Sequence, residues 1–303
     1  RSEAAFLAPR PVGTATSMGL GDRLGLATPG HLRAVRGTGV VPILAQQSIR
    51  EMERTRRTPD DVMDCATFGA LEAGWVDGFG SDADHLKTTD DIDYTLPAGF
   101  TLFTIDPREH VDNEADNLEE TALRQRCDAL PWDKLETTQA DARARYAGQA
   151  SDLPGGSIQF TEEQFLRAAV KYGRAVAHTA ALYRYVADKA GDRPFEFEMS
   201  VDETDSPTTP LEHYYFASEL QRLGARWVSL APRFIGRFEK GVDYIGDLAA
   251  FERDVVEHCR VAQAFGGYKL SIHSGSDKFS IYGIVAKHAA GRLHVKTAGT
   301  SYL

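Results

Sequence analysis

Two histidines in this sequence stand among carboxylates at the ends of extended segments, and these residue types hold a divalent ion or move protons. The first lies in Asp82-Ala-Asp84-His85. The second, His273, closes Tyr268-Lys-Leu-Ser-Ile-His and opens into Ser274-Gly-Ser-Asp-Lys278. Imidazole and carboxylate are ordinary ligands for zinc and similar cations, and both also serve as general bases. A third group comes from Glu196-Phe-Glu198-Met-Ser-Val-Asp202. If Phe197, Met199 and Val201 face outward, Glu198 and Asp202 project to the opposite side of the strand. A buried carboxylate is costly unless it is paired or bound to a metal. Lys269, His294 and Lys296 occupy the corresponding faces of later segments and can supply the charge. Two imidazoles with carboxylates and no thiolate suit zinc, manganese or a similar ion.

Each position also has a plainer explanation. Asp82 reads equally well as part of an Asx-rich loop capping the next helix, and His273 as a buried structural histidine. Glu196 and Lys269 read as an ion pair near the floor of the fold, below Glu198, Asp202, His273 and Lys296. The stretch Pro232-Arg-Phe-Ile-Gly-Arg-Phe-Glu-Lys-Gly-Val-Asp-Tyr244 carries Arg233, Arg237, Glu239, Lys240 and Asp243. Charge runs are usually solvated, but the interleaved Phe234, Phe238 and Tyr244 point to an ordered loop in which Arg233 and Lys240 grip a carboxylate or phosphate. The Gly/Ser-rich loops around Lys278 and at Gly299-Thr-Ser301 are further places for an anion.

The elements that must position these groups repeat one syntax. Apolar residues alternate with polar ones, and a polar loop follows. Candidate strands lie at 14–20, 40–45, 75–80, 100–105, 195–202, 227–231, 268–273 and 293–298. Helical patterns lie between them. Thr58-Pro59 opens one over 59–72, and Thr161-Glu-Glu-Gln opens a long one to about 189. Thr209-Pro210 opens one to about 223, ended by Gly224, and another spans 248–265 before Gly266-Gly267. Strands alternating with helices imply βα units and a parallel sheet. Eight such units with functional groups on the C-terminal side predict a (β/α)8 barrel of the TIM type. Segment 108–156, rich in Asp, Glu, Gln and Arg, reads as a partly helical insertion after the fourth strand, not a separate domain.

The 303 residues, 42% hydrophobic, suffice for one such barrel, or for two smaller domains. A net charge of −10 argues against nucleic acid as a partner. No apolar run approaches membrane length and no signal-peptide pattern opens the chain. Three scattered cysteines, Cys65, Cys127 and Cys259, without a CxxC, fit reduced thiols in a cytoplasmic protein. A barrel needs a helix after its eighth strand, and the sequence stops at Leu303, so it reads as a piece of a longer protein.

Eight blocks resemble the tagaturonate epimerase family. They are Gly19-Leu-Gly-Asp-Arg-Leu-Gly-Leu-Ala-Thr-Pro-Gly-His31, Gln46-Gln-Ser-Ile-Arg-Glu51, Asp82-Ala-Asp-His-Leu-Lys87, Ser200-Val-Asp-Glu-Thr-Asp205, Ser229-Leu-Ala-Pro-Arg-Phe234, Glu239-Lys-Gly-Val-Asp-Tyr-Ile-Gly-Asp247, His273-Ser-Gly-Ser-Asp-Lys-Phe-Ser280 and His294-Val-Lys-Thr-Ala-Gly-Thr-Ser301. The resemblance implies a metal-dependent barrel, longer at both ends, that interconverts D-tagaturonate and D-fructuronate in hexuronate breakdown. The inverted carbon lies one bond beyond the acidic position next to the ketone, so simple enolisation scrambles the wrong centre. Retro-aldol cleavage, rotation of the aldehyde and re-addition solve this, with a cation acting as Lewis acid. On that scheme Asp84 and Glu198 exchange the protons, and His85, His273 and Asp202 hold the ion, with Glu203, Asp243 and His294 as alternative third ligands. Arg233, Lys240, Lys278 and Lys296 bind the substrate's oxygens. Transient oxidation by bound NAD is a rival route, but no GxGxxG turn supports it. A sugar-phosphate isomerase or aldolase on the same barrel, or a non-catalytic sugar-acid binding protein, are the other readings. The metal proposal requires His85 and His273 to meet.

Overall fold

The computed structural model describes residues 5–298. Eight parallel strands close into a barrel: β1 (Ser17–Leu20), β2 (Val41–Ser48), β3 (Gly80–Leu86), β4 (Leu102–Ile105), β7 (Glu196–Ser200), β8 (Ser229–Ala231), β9 (Lys269–Ile272) and β10 (Leu293–Thr297). The remaining two, β5 (Ala150–Leu153) and β6 (Gly156–Gln159), form a separate antiparallel hairpin. Closure runs through β1, which pairs with β2 on one side and β10 on the other. The fold is therefore the expected (β/α)8 barrel. The Gly299-Thr-Ser301 loop lies outside the described residues. Among those described, no helix is long and apolar enough to cross a membrane.

Among the described residues the α-helices are α1 (Thr28–Val35), α2 (Ile49–Thr55), α3 (Pro59–Glu72), α4 (Thr89–Thr95), α5 (Glu120–Asp128), α6 (Gln139–Tyr146), α7 (Glu162–Ala190), α8 (Pro210–Arg222), α9 (Leu248–Ala264) and α10 (Phe279–His288). Their starts are written in the sequence. Thr58, Thr161 and Thr209 each accept from the backbone three residues on, and the residue there returns the bond. The strands' outward residues, such as Met199, Leu230, Leu270 and Val295, pack on α7 to α10, while Leu44, Ala83 and Phe103 pack on α1 to α4. At 29 residues α7 is about 43 Å long, longer than the barrel is deep. Its N-terminal half carries the segment between β4 and α7, whose Leu123, Cys127, Leu130 and Tyr146 join Phe165 and Tyr215 in one cluster.

The third strand sits later than expected. Residues 75–79 precede it, with Trp75 Nε1 donating to Gly78 O at 2.8 Å and Gly78 at φ 77°. The strand itself begins at Gly80 and contains Asp82, Asp84 and His85. Its inward residues are polar, so the apolar cue that marks strands fell instead on the turn before it. Much of the barrel interior is polar: Asp82, Thr104, Glu198, Ser229, Lys269, Ser271 and His294 are all fully buried. TIM barrels ordinarily fill this space with branched apolar side chains. Glu196 and Lys269 near the floor do not bridge directly. Glu196 accepts from the Gly13 N–H, and Lys269 Nζ donates to Ser17 Oγ at 3.0 Å.

Candidate active site

Lys296 on β10 organises the C-terminal mouth. Its ammonium lies 2.7 Å from Asp82, 2.7 Å from Asp84, 3.0 Å from Glu198 and 2.7 Å from Thr104 Oγ1. Burial works against its charge, but the three carboxylates outweigh that and hold its pKa well above the usual lysine value. One ammonium cannot neutralise three carboxylates. Burial raises Asp82 to about 6, whereas His85 and Lys296 keep Asp84 below the usual range despite its burial. The site retains an excess of negative charge.

The two histidines stand directly above. A bulge in β3 brings the first one in: Ala83 pairs with Phe103 and Leu86 with Ile105, so two residues of β3 face one of β4. His85 occupies the extra position with φ 56°, a left-handed conformation rare for a non-glycine residue. Simple alternation would send Asp84 and His85 to opposite faces. The bulge aims both at the mouth, with His85 Nδ1 2.7 Å from Asp84 Oδ1. His273 follows β9, its Nε2 2.8 Å from Glu198 Oε1. The imidazole centroids of His85 and His273 are 5.0 Å apart. Asp202 completes the group, its Oδ1 3.7 Å from His85 Nε2 and 3.2 Å from His273 Nδ1. Donor atoms of His85, Asp202 and His273 all lie within 4.8 Å of one another, the one such group found among the described residues.

This arrangement fits a divalent cation. Each histidine turns one nitrogen to the shared space, and its other nitrogen meets a carboxylate that fixes the ring, as in carboxylate–histidine–metal triads. Burial disfavours imidazolium, yet the carboxylates raise His85 well above its ordinary value and His273 to about 9. The surroundings thus call for positive charge at this point.

Two cavities meet here, sharing Asp202, Glu203, His273 and Ser274. The larger, about 360 Å³, runs under Arg233, Phe234 and Phe238. The smaller, about 100 Å³, includes Arg23, Ser48, Arg50, Asp84, Lys240 and Lys296. Arg233 thus lines the larger cavity and Lys240 the smaller. Glu198 does not reach either cavity. It is fully buried beneath His273, bonded also to Ser229 and Thr104, which suits holding that ring better than meeting a substrate. Lys278 is elsewhere too: its buried ammonium donates to the carbonyls of Glu239 (2.7 Å), Val242 (2.6 Å) and Ser276 (3.1 Å), pinning the loop after β8. Asp243 accepts from Ser280 N–H and Oγ, and Glu203 pairs with Arg108. His294 lies below, near Ser17, held to about 3 by burial. Gly275 is required by packing, since a Cβ there would fall 2.5 Å from Val295 Cγ1.

Arg23, Ser48 and Arg50 escaped the residue-level reading. The signal for Ser48 and Arg50 was the Ser48-x-x-Glu51 capping box, which starts α2 at the mouth.

The tagaturonate epimerase family model matches residues 1–303. The chain belongs to the tagaturonate epimerase family. It is 46% identical over 297 residues to a tagaturonate/fructuronate epimerase of Thermotoga maritima, covering 98% of this chain and 60% of that one. A glycerol-complexed structure of the fructuronate-tagaturonate epimerase UxaE from Cohnella laeviribosi matches with a TM-score of 0.93 at 43% identity, over 99% of this chain and 60% of that one. The native form of the same enzyme gives 0.91 at 43%, over 97% and 59%. The YdjI aldolase of Escherichia coli shares the fold at 10% identity, with a TM-score of 0.53 over 94% of this chain and 76% of that one. The chain thus spans about three-fifths of the length of its epimerase relatives.

Proposed function

We propose that this barrel is the catalytic part of an enzyme interconverting D-tagaturonate and D-fructuronate, with a divalent cation held by His85, Asp202 and His273. The observation that carries the reading is the convergence of those three side chains over a lysine–carboxylate cluster, in a chain 46% identical to a tagaturonate/fructuronate epimerase. When bound, the cation supplies Lewis-acid stabilisation to oxygens that gain negative charge.

The chain's own residues account for the rest. Asp84 borders the cavity and is ionised, so it serves as the base that takes the proton from the hydroxyl on the inverting carbon. The adjacent carbon–carbon bond then breaks, leaving an aldehyde and an enediolate. Lys296, buried and charged, stabilises the developing oxyanion. After rotation of the aldehyde, the bond re-forms on its other face and the proton returns to the alkoxide. Glu198 acts one layer below by orienting His273 and holding Lys296. The larger cavity accommodates the remaining carbons, with Arg233 as the partner for the substrate carboxylate and Lys240 at the smaller cavity.

The test uses the full-length enzyme. Purified protein given D-tagaturonate in D2O should form D-fructuronate without deuterium at the inverted carbon, and its cation content should be measured on the same sample. Deuterium at that carbon would exclude the retro-aldol route, and no product would remove the activity itself.

A further inference from the structure

Asp202 differs from the other two proposed ligands in how it is held. His85 belongs to β3 and His273 follows β9 directly. Asp202 instead begins an irregular segment, 202–208, that runs to the Thr209 cap of α8. Ser200 Oγ, at the end of β7, donates to Asp202 Oδ1, and the rest of the segment is held mainly from outside.

That hold comes from the start of the segment between β4 and α7. Arg108 pairs with Glu203, the residue next to Asp202. Arg108 is itself fixed to Asp106, just past β4, through bonds of 2.8 and 3.2 Å. Asn113 Oδ1 accepts from the Asp205 N–H at 3.0 Å. Asp116 accepts from Ser206 Oγ at 2.5 Å. Behind these lies Lys171 of α7, 1% exposed, its ammonium 2.9 Å from Asp116, 2.8 Å from Ser206 Oγ and 2.9 Å from Glu212 of α8. The far end of the segment is tied to the substrate loop: Thr208 N–H donates to Arg233 O at 2.8 Å, and Arg233 N–H to Thr208 Oγ1 at 3.0 Å.

None of these groups reaches the three donor atoms, and a buried lysine with two carboxylates is a poor device for stability alone. We propose that residues 108–116 and Lys171 are a brace that fixes Asp202 for cation binding, so that Arg108, Asn113, Asp116 and Lys171 are positioning residues for the site. The inference rests on the reading of His85, Asp202 and His273 as a cation site. Groups that orient metal ligands typically change affinity 10- to 100-fold when lost.

The test compares Asn113→Ala and Asp116→Ala with the native full-length protein, using calorimetric titration with Zn²⁺ and Mn²⁺ and hydrogen exchange by mass spectrometry. Cation affinity should fall about tenfold or more, with faster exchange confined to 202–208 and the barrel strands as protected as before. A stability defect alone would not produce that separation. If Asp116→Ala leaves Lys171 stranded and misfolds, Asn113→Ala, which removes one partly exposed acceptor, decides the matter. Native affinity and native exchange in the folded variant overturn the brace. A native protein that takes up neither cation overturns the cation reading, and the exchange data then show separately whether residues 108–116 hold the segment.

Discussion

At the scale of residues, the site is defined by charges that cannot be solvated and so must satisfy one another. Lys296 is central because its one ammonium ion-pairs with all three carboxylates, Asp82, Asp84 and Glu198. Replacing it as Lys296→Met should destabilise the protein by about 3–5 kcal/mol, the cost of leaving buried carboxylates unpaired, read from the denaturant midpoint. If the midpoint stays within experimental scatter, the cluster is better hydrated than its burial implies. Glu198→Gln removes the carboxylate that orients His273 while keeping its shape. Cation affinity should drop 10- to 100-fold, measured by titration with a chromogenic chelator. An unchanged affinity would show that His273 needs no such partner.

At the scale of elements, helices hold polar groups that the site does not use. His213 of α8 and His258 of α9 are both fully buried, their Nδ1 atoms 2.8 Å apart, with Tyr268 on the far side of His213 and Asp254 3.6 Å from His258. Burial pushes His258 down to about 4. Between its ordinary value near 6.5 and about 4, the unfolded chain takes a proton that the native one refuses. The stability this contributes is therefore present above 6.5 and is lost as the pH falls through that window. In His258→Asn the slope of unfolding free energy against pH should be shallower there by up to about 1.4 kcal/mol per pH unit. Identical slopes in the two proteins would mean that His258 titrates normally. The loop after β8 depends on Lys278 in a similar way. Lys278→Met strands three carbonyls and should cost about 1–3 kcal/mol, with earlier proteolysis within 236–243 as its local sign.

At the scale of the whole molecule, strand ends from both halves of the chain meet at one point, so cation binding should couple to global stability. A cation at 100 times its dissociation constant should add about 2.7 kcal/mol to unfolding of the full-length protein, and a chelator should remove that increment. Unfolding curves that superimpose with and without cation would leave the His85–Asp202–His273 group without a ligand. The closed sheet also explains why the interior tolerates so much charge. Inward polar residues meet partners from other strands, some adjacent and some far off in sequence, as with Lys296 and Asp84.

The sequence alone determined the alternation of strands and helices, the capping boxes that start α3, α7 and α8, and the family resemblance, because these depend on neighbours within a few residues. It also marked His85, Asp202 and His273 as groups that could share an ion. The tertiary structure decided what each polar residue faces. A single extra residue in β3 turned Asp84 and His85 together, which strict alternation forbids, and inward polar side chains hid that strand's true limits. Lys278 looked available beside a glycine-rich loop until two carbonyls from another loop and one from its own closed on it. Glu198 looked like an acid/base group until β10 and β9 brought Lys296 and His273 to it. Local pattern gives the direction of a side chain, whereas the identity of its partner is set by closure of the barrel, and the partner settles whether a charge is structure or chemistry.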